Sequence, residues 1–155
     1  MNKRFKTNGL KQRQTGTTLI EVLVAVVIIS VGLLGVAALN LTSLRNSFDA
    51  NSRTKATLLA NDMADRMRAN ASVANPTAIA DASPYEIAIG ANKSGAAIVD
   101  EDIITWKALL GQSLSEGDGS ISWVPVGDMR LFTITIQWTE RDSVLPRTLV
   151  MQTGI

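Results

Sequence analysis

Gly16-Thr17-Thr18-Leu19-Ile20-Glu21-Val22-Leu23-Val24-Ala25 is the stretch on which the reading of this chain turns. A basic, acid-free segment stops at the glycine, and an almost unbroken apolar run follows with one carboxylate near its start. An acidic side chain within a membrane span is costly and uncommon, which makes Glu21 a functional-site candidate whose partner should be named. An amine would serve, and cleavage after Gly16 would create one at Thr17. Glu21 would then be the fifth residue of the mature chain, one helical turn from the new N-terminus.

From Leu19 to Leu39 the run is broken only by Glu21, Ser30, Gly32 and Gly35. About 20 such residues cross a hydrocarbon core as a helix. Lys3, Arg4, Lys6, Lys11 and Arg13 all precede it, which puts residues 1–16 on the cytoplasmic side and the remainder across the membrane. An ordinary secretory signal has a shorter apolar core of roughly 7–15 residues before a small-x-small cleavage site. Gly35-Val36-Ala37 fits such a site, and that reading places the mature start near Leu39. The length of the run and the early glutamate favour a retained span.

The overall charge of +1 conceals an uneven distribution. The first sixteen residues hold five basic side chains, leaving 10 basic against 14 acidic residues beyond them, a balance of −4. No basic patch on the folded part marks a nucleic-acid surface. The 155 residues include no histidine and no cysteine. That removes imidazole bases, thiol nucleophiles, the softer metal ligands and disulfides. The remaining carboxylates, lysines and hydroxyls show no spacing that singles out an acid–base pair. The chain reads as no enzyme, and no cofactor is implied.

The helical pattern continues past the apolar run. Leu41, Leu44, Phe48, Ala56, Leu59, Met63 and Met67 largely keep one face, and no proline intervenes before Pro76. The pattern predicts one helix from Thr17 to about Asn70, roughly 80 Å long. Its first half belongs in lipid or a helix bundle, and one face of its second half on a small domain. Ser30, Gly32 and Gly35 are either a weak point or a site of close helix contact. Residues 71–100 read as loop, with a short strand at Tyr85–Ile89. Asp100-Glu101-Asp102 precede a second amphipathic helix whose buried side is Ile103, Trp106, Leu110 and Leu114, and the acids suit its positive end. A calcium loop is a poorer account of the three acids, because their spacing matches none.

Gly117-Asp118-Gly119, Gly127-Asp128 and Arg141-Asp142-Ser143 read as turns. Between them Ile121, Trp123 and Pro125 make one alternating face, and Phe132, Ile134, Ile136 and Trp138 make another. Arg147–Gln152 is a last strand. All three tryptophans read as core. The fold class is α+β: a long N-terminal helix, its first half transmembrane, packed on a small antiparallel sheet. The divisions are a leader at 1–16, a transmembrane and assembly segment at 17–44, and an exported domain at 45–155.

In a low-dielectric bundle, leaving either member of an ion pair alone is heavily penalised, so Glu21 reads as a register device between identical helices. Gly16 to Ala25 after a basic leader resembles the class III signal of type IV pilins and pseudopilins. The resemblance implies that a membrane-embedded prepilin peptidase cuts after Gly16 and methylates Thr17, and that Glu21 is the registry carboxylate. The family usually has phenylalanine where this chain has Thr17. Leu59-Ala60-Asn61-Asp62-Met63-Ala64-Asp65-Arg66-Met67-Arg68-Ala69-Asn70 resembles a segment of PilV-type minor pilins, the type IV pilus modification proteins. Trp106, Leu109-Leu110, Gly117, Gly119 and Thr133–Trp138 are similar to that family's C-terminal order.

What the resemblance implies is a minor pilin that helps prime pilus assembly and enters the filament tip. Its partners would be other minor pilins, the major pilin, the prepilin peptidase and the inner membrane, with a periplasmic domain and no nucleic acid. Asp62, Asp65, Arg66 and Arg68 are candidate subunit-interface residues, with equal standing for a solvated helix face carrying local ion pairs. A type II secretion pseudopilin shares the leader, Glu21 and the helix. A secreted binding domain with an ordinary signal peptide is the third reading.

Overall fold

The computed structural model of the chain describes residues 18–75, 83–127, 129–140, 143 and 145–155. The fold is α+β, with element order α1 (Leu19–Ala69), α2 (Ala71–Ala74), α3 (Ile98–Ser113), β1 (Asp118–Val126), β2 (Met129–Trp138) and β3 (Arg147–Gly154). The chain divides into two compact units, one ending at Leu44 and the other running from Arg45 to Ile155. Helix α1 contributes to both.

In the first unit α1 continues without interruption through Gly32 and Gly35. A Cβ built at either glycine would meet nothing within 4 Å, so no contact inside the chain requires them. Every described residue from Thr18 to Leu44 is exposed.

In the second unit α1 buries Ala56, Ala60, Met63, Ala64 and Met67. Their spacing keeps one side of the helix inward, and the three alanines let the backbone approach its neighbours closely. The predicted apolar face is shorter than the sequence pattern implied. Leu41, Leu44 and Phe48 lie exposed, and burial begins at Ala56. Periodicity marks which residues share a helical face and carries no signal for where a covering element begins.

Helix α3 packs into the same core through Val99, Ile103, Trp106 and Leu110, and Leu114 just past its end is buried with them. It starts at Ile98, so Asp100 and Glu101 lie within its first turn, where the helix dipole favours acids. Trp106 Nε1 donates to the Leu59 carbonyl at 2.9 Å and fastens α3 to α1. The three strands form an antiparallel meander in the order β1-β2-β3. Their hairpin register pairs Val126 with Met129 across Gly127 and residue 128. Gly127 has φ +61°, the left-handed backbone that two-residue hairpins need. Asp128, Arg141 and Asp142 lie outside the described residues.

Strand β2 alternates as its sequence dictates, burying Phe132, Ile134, Ile136 and Trp138. Two details differ from the sequence reading. Arg130 also takes a core-facing position, fully buried, with its guanidinium carbon 4.1 Å from the centre of the Trp123 ring. Trp123 is only half-buried at the margin of the core, and its Nε1 donates to Glu86 Oε2 at 3.1 Å. Residues Tyr85–Ile89 form no strand. They make a single bridge, in which Ile87 and Ile121 exchange backbone hydrogen bonds of 3.0 and 2.8 Å. Their alternation is real, since Tyr85 and Ile87 are buried, but only one rung of ladder fits between the flanking turns.

Candidate functional site

Two groups of residues were singled out by sequence, and they occupy different units. The first is the N-terminal part of α1. Gly16 and Thr17 lie outside the described residues. Glu21 lies in the first turn of the helix, where its amide donates to the Thr18 carbonyl at 3.0 Å. Among the described residues nothing bonds its carboxylate. Beyond it the helix is long and apolar enough to cross a membrane. Leu19, Leu34 and Leu39 are 92%, 71% and 72% exposed. A continuous apolar surface of this extent suits lipid or other helices rather than water, which fits membrane anchoring.

The polar groups within the run fit that requirement. Ser30 Oγ donates to the Val26 carbonyl at 2.7 Å and Thr42 Oγ1 to the Ala38 carbonyl at 3.1 Å. Each hydroxyl is satisfied by its own helix, as an apolar medium demands. Glu21 is the one acidic group in the run that the helix does not satisfy internally.

The second group is the charged stripe at the C-terminal end of α1. Arg66 bridges two carboxylates: its Nε donates to Asp62 Oδ2 at 2.9 Å and its Nη1 to Asp102 Oδ1 at 3.1 Å. Asp102 in turn accepts from the Tyr85 hydroxyl at 2.8 Å, and that hydroxyl accepts from Asn70 Nδ2 at 3.2 Å. Arg68 pairs with Asp65 at 2.7 Å and donates from Nη2 to Thr153 Oγ1 at 2.6 Å. The stripe therefore joins α1 to the Tyr85 segment, to α3 and to β3. Sequence reading named four of these residues but missed Asp102, Tyr85 and Asn70 as their partners. A helix-start acid and a buried tyrosine carry no local signal that they will meet.

Burial works against the charge on Arg66, but the hydrogen bonds it donates to Asp102 and Asp62 outweigh it and raise its pKa above the ordinary value. Burial also lifts the Tyr85 phenol, to about 12, with the hydrogen bond from Asn70 opposing the shift and Asp102 adding to it. Tyr85 is the chain's single tyrosine. Phenolate absorbance in the folded protein should therefore titrate near pH 12, against about 10 once unfolded. Folding holds the proton, so this contribution is complete below pH 10 and is lost as pH rises from about 10 to about 12. A folded-state midpoint near 10 would mean that the Tyr85 hydroxyl is not held in this buried setting.

A depression of about 490 Å³ lies beside α3, lined by Gly90, Lys93, Ile104, Lys107 and Asp118 among others. Its three charges already serve the fold, Lys93 by donating to the Pro84 carbonyl at 3.0 Å. Lys107 pairs with Asp118 at 2.9 Å and also bonds the carbonyls of Ala88 and Ala91. Burial opposes ionisation of Asp118, yet the Gly90 amide, Lys107 and the Gly119 amide together hold its carboxyl below the usual range. The pair clamps the loop around Gly90 onto the start of β1. Among the described residues no group of acidic side chains could hold a metal ion.

Residues 11–37 match the family model described as the prokaryotic N-terminal methylation motif. That segment contains Gly16, Thr17, Glu21 and the apolar run. No curated protein and no solved structure matches the chain. The motif and the long apolar helix support a type IV pilin or a type II pseudopilin, a structural rather than catalytic class, and they fit membrane anchoring.

Proposed function

We propose that this chain is a minor pilin of the PilV type, which takes part in type IV pilus assembly by priming the filament and entering its tip. The single observation that carries this reading is the methylation motif running directly into an unbroken helix whose first half is apolar and exposed. On this reading a prepilin peptidase removes residues 1–16 and methylates Thr17. Residues 17–44 hold the subunit in the inner membrane until assembly, and residues 45–155 lie in the periplasm. Assembly then moves the apolar helices out of lipid and into contact with one another. The Leu59–Asn70 segment supports a pilus role over a secretion role. Asp62, Asp65, Arg66 and Arg68 keep exposed edges through which a neighbouring pilin would be met.

The test is the mass of the N-terminal peptide from membrane-extracted protein, in cells that contain a prepilin peptidase. A start at Thr17, methylated or not, is expected. A start near Leu39 would replace this reading with that of an ordinary secreted domain. Detection of the Thr17 form in sheared pili separates a pilus subunit from a secretion pseudopilin.

A further inference from the structure

Residues 88–94 run between two fixed points and are held to the domain by few groups. At one end Ile87 is buried and exchanges both backbone hydrogen bonds with Ile121 on β1. At the other, Gly95 sits directly against the start of α3, where an added Cβ would overlap the Asp100 carboxylate. The intervening chain turns at Gly90, whose φ of +74° suits glycine, and closes on itself through the Ala91 amide and the Ala88 carbonyl at 3.2 Å. None of residues 88–94 is buried, and only Ala91 and Lys93 are partly covered.

Beyond the partial packing of Ala91 on the core, two side chains hold this segment down: Lys107 of α3 and Asp118 at the start of β1. The Lys107 ammonium has three hydrogens, and three oxygens meet it: Asp118 Oδ1 at 2.9 Å, the Ala88 carbonyl at 3.2 Å and the Ala91 carbonyl. The Lys107 side chain is only 10% exposed, so its charge depends on those oxygens in place of water. Asp118 Oδ2 adds a fourth contact by accepting from the Gly90 amide at 2.6 Å. Among the described residues the one further hydrogen bond runs from Lys93 to the Pro84 carbonyl, which ties the segment to neither α3 nor the sheet.

We propose that residues 88–94 form a lid over the depression beside α3, latched by Lys107 and Asp118, and that the lid opens while the core stays folded. The ammonium makes the latch. Without it two carbonyls and a carboxylate converge with no hydrogen to share, and each is better satisfied by water than by contact. Opening withdraws no buried side chain, because Tyr85 and Ile87 precede the lid and remain in the core. It widens the depression along Ile104 and Ala108 of α3. Segments with few buried contacts are the ones that open locally, below the free energy of global unfolding. The proposal concerns the second unit alone and does not depend on how the N-terminus is processed.

Amide exchange of the full chain in detergent micelles tests it. In the native sequence the Gly90 and Ala91 amides are expected to exchange at rates that sub-denaturing urea leaves unchanged. Ile134 and Met151, paired across β2 and β3, should instead accelerate as urea is added. Lys107→Met keeps the length and apolar stem of the side chain and removes its charge. It should speed exchange at Gly90 and Ala91 by at least about tenfold while Ile87 and Ile121 stay within about twofold of the native rates. Asp118→Asn replaces one acceptor oxygen by an NH2 group and should speed Gly90 by a similar factor. Protection of Gly90 retained in either variant would overturn the proposal. So would acceleration that reaches Ile87, Ile121 and Ile134 together, or native exchange at Gly90 and Ala91 that follows the core in urea. The native measurement stands even where a variant does not fold.

Discussion

Glu21→Ala is expected to leave membrane insertion and N-terminal processing intact while recovery of the subunit in pili falls by more than about tenfold. The first half of that expectation follows from the apolar run, which inserts as well or better without a carboxylate. The second follows from the proposed pairing between the Glu21 carboxylate and a Thr17 amine in a neighbouring helix. Once lipid is replaced by packed helices, the amine loses its counter-charge and becomes an uncompensated buried cation. A helix that is apolar on all sides slides past its neighbours at little cost. One ion pair fixes the axial position, because a shift by one residue separates the charges.

Glu21→Gln tests whether charge rather than size is required, and it should fail like the alanine variant. Glu21→Asp, which keeps the charge on a shorter arm, should fall between. Immunodetection in sheared pili, normalised to the membrane pool, is the measurement. Wild-type recovery of either neutral variant would remove the register argument and leave Glu21 as a solvated headgroup residue.

The long helix and the β2 strand were legible because each depends on a repeating pattern set by local geometry. Phe132, Ile134, Ile136 and Trp138 alternate over one strand, and the buried face of α3 recurs through Ile103, Trp106 and Leu110. What was not legible depends on long-range meeting points. Leu41, Leu44 and Phe48 continue the helical periodicity yet remain exposed. Asp102 looked like a helix-start acid and instead joins Arg66 to Tyr85 across 36 and 17 residues of sequence. Arg130 occupies a position whose alternation asks for an apolar side chain, and the nearby Trp123 ring gives its cation a face to rest on. The candidate site divides in the same way. Gly16, Thr17 and Glu21 lie in the segment 11–37 that matches the methylation motif, a pattern local enough to be seen in sequence, whereas the use of Asp62, Asp65, Arg66 and Arg68 within the domain needed coordinates.

Gly119→Ala should be among the most damaging single-methyl changes in the domain, at about 1–3 kcal/mol. A Cβ at this position would overlap Trp106 Cη2 and stand 2.8 Å from Cζ3 and 2.9 Å from Leu110 Cδ1. Flexible surface side chains move aside from such a contact. Trp106 cannot do so freely, since it is fully buried and its Nε1 is held by the Leu59 carbonyl at 2.9 Å. Retreat of the ring would stretch that hydrogen bond or press α3 against its neighbours in a close-packed core. Trp106→Ala removes the whole ring and should cost about 3–5 kcal/mol. The double variant discriminates this account from a general intolerance of side chains in β1. With the ring gone, the added methyl enters the space it left, so Gly119→Ala should cost far less in the Trp106→Ala background. Chemical denaturation of the full chain in detergent, run as a double-mutant cycle, reads the coupling directly. Additive costs would mean that Gly119 is required for its backbone and not for the Trp106 ring above it.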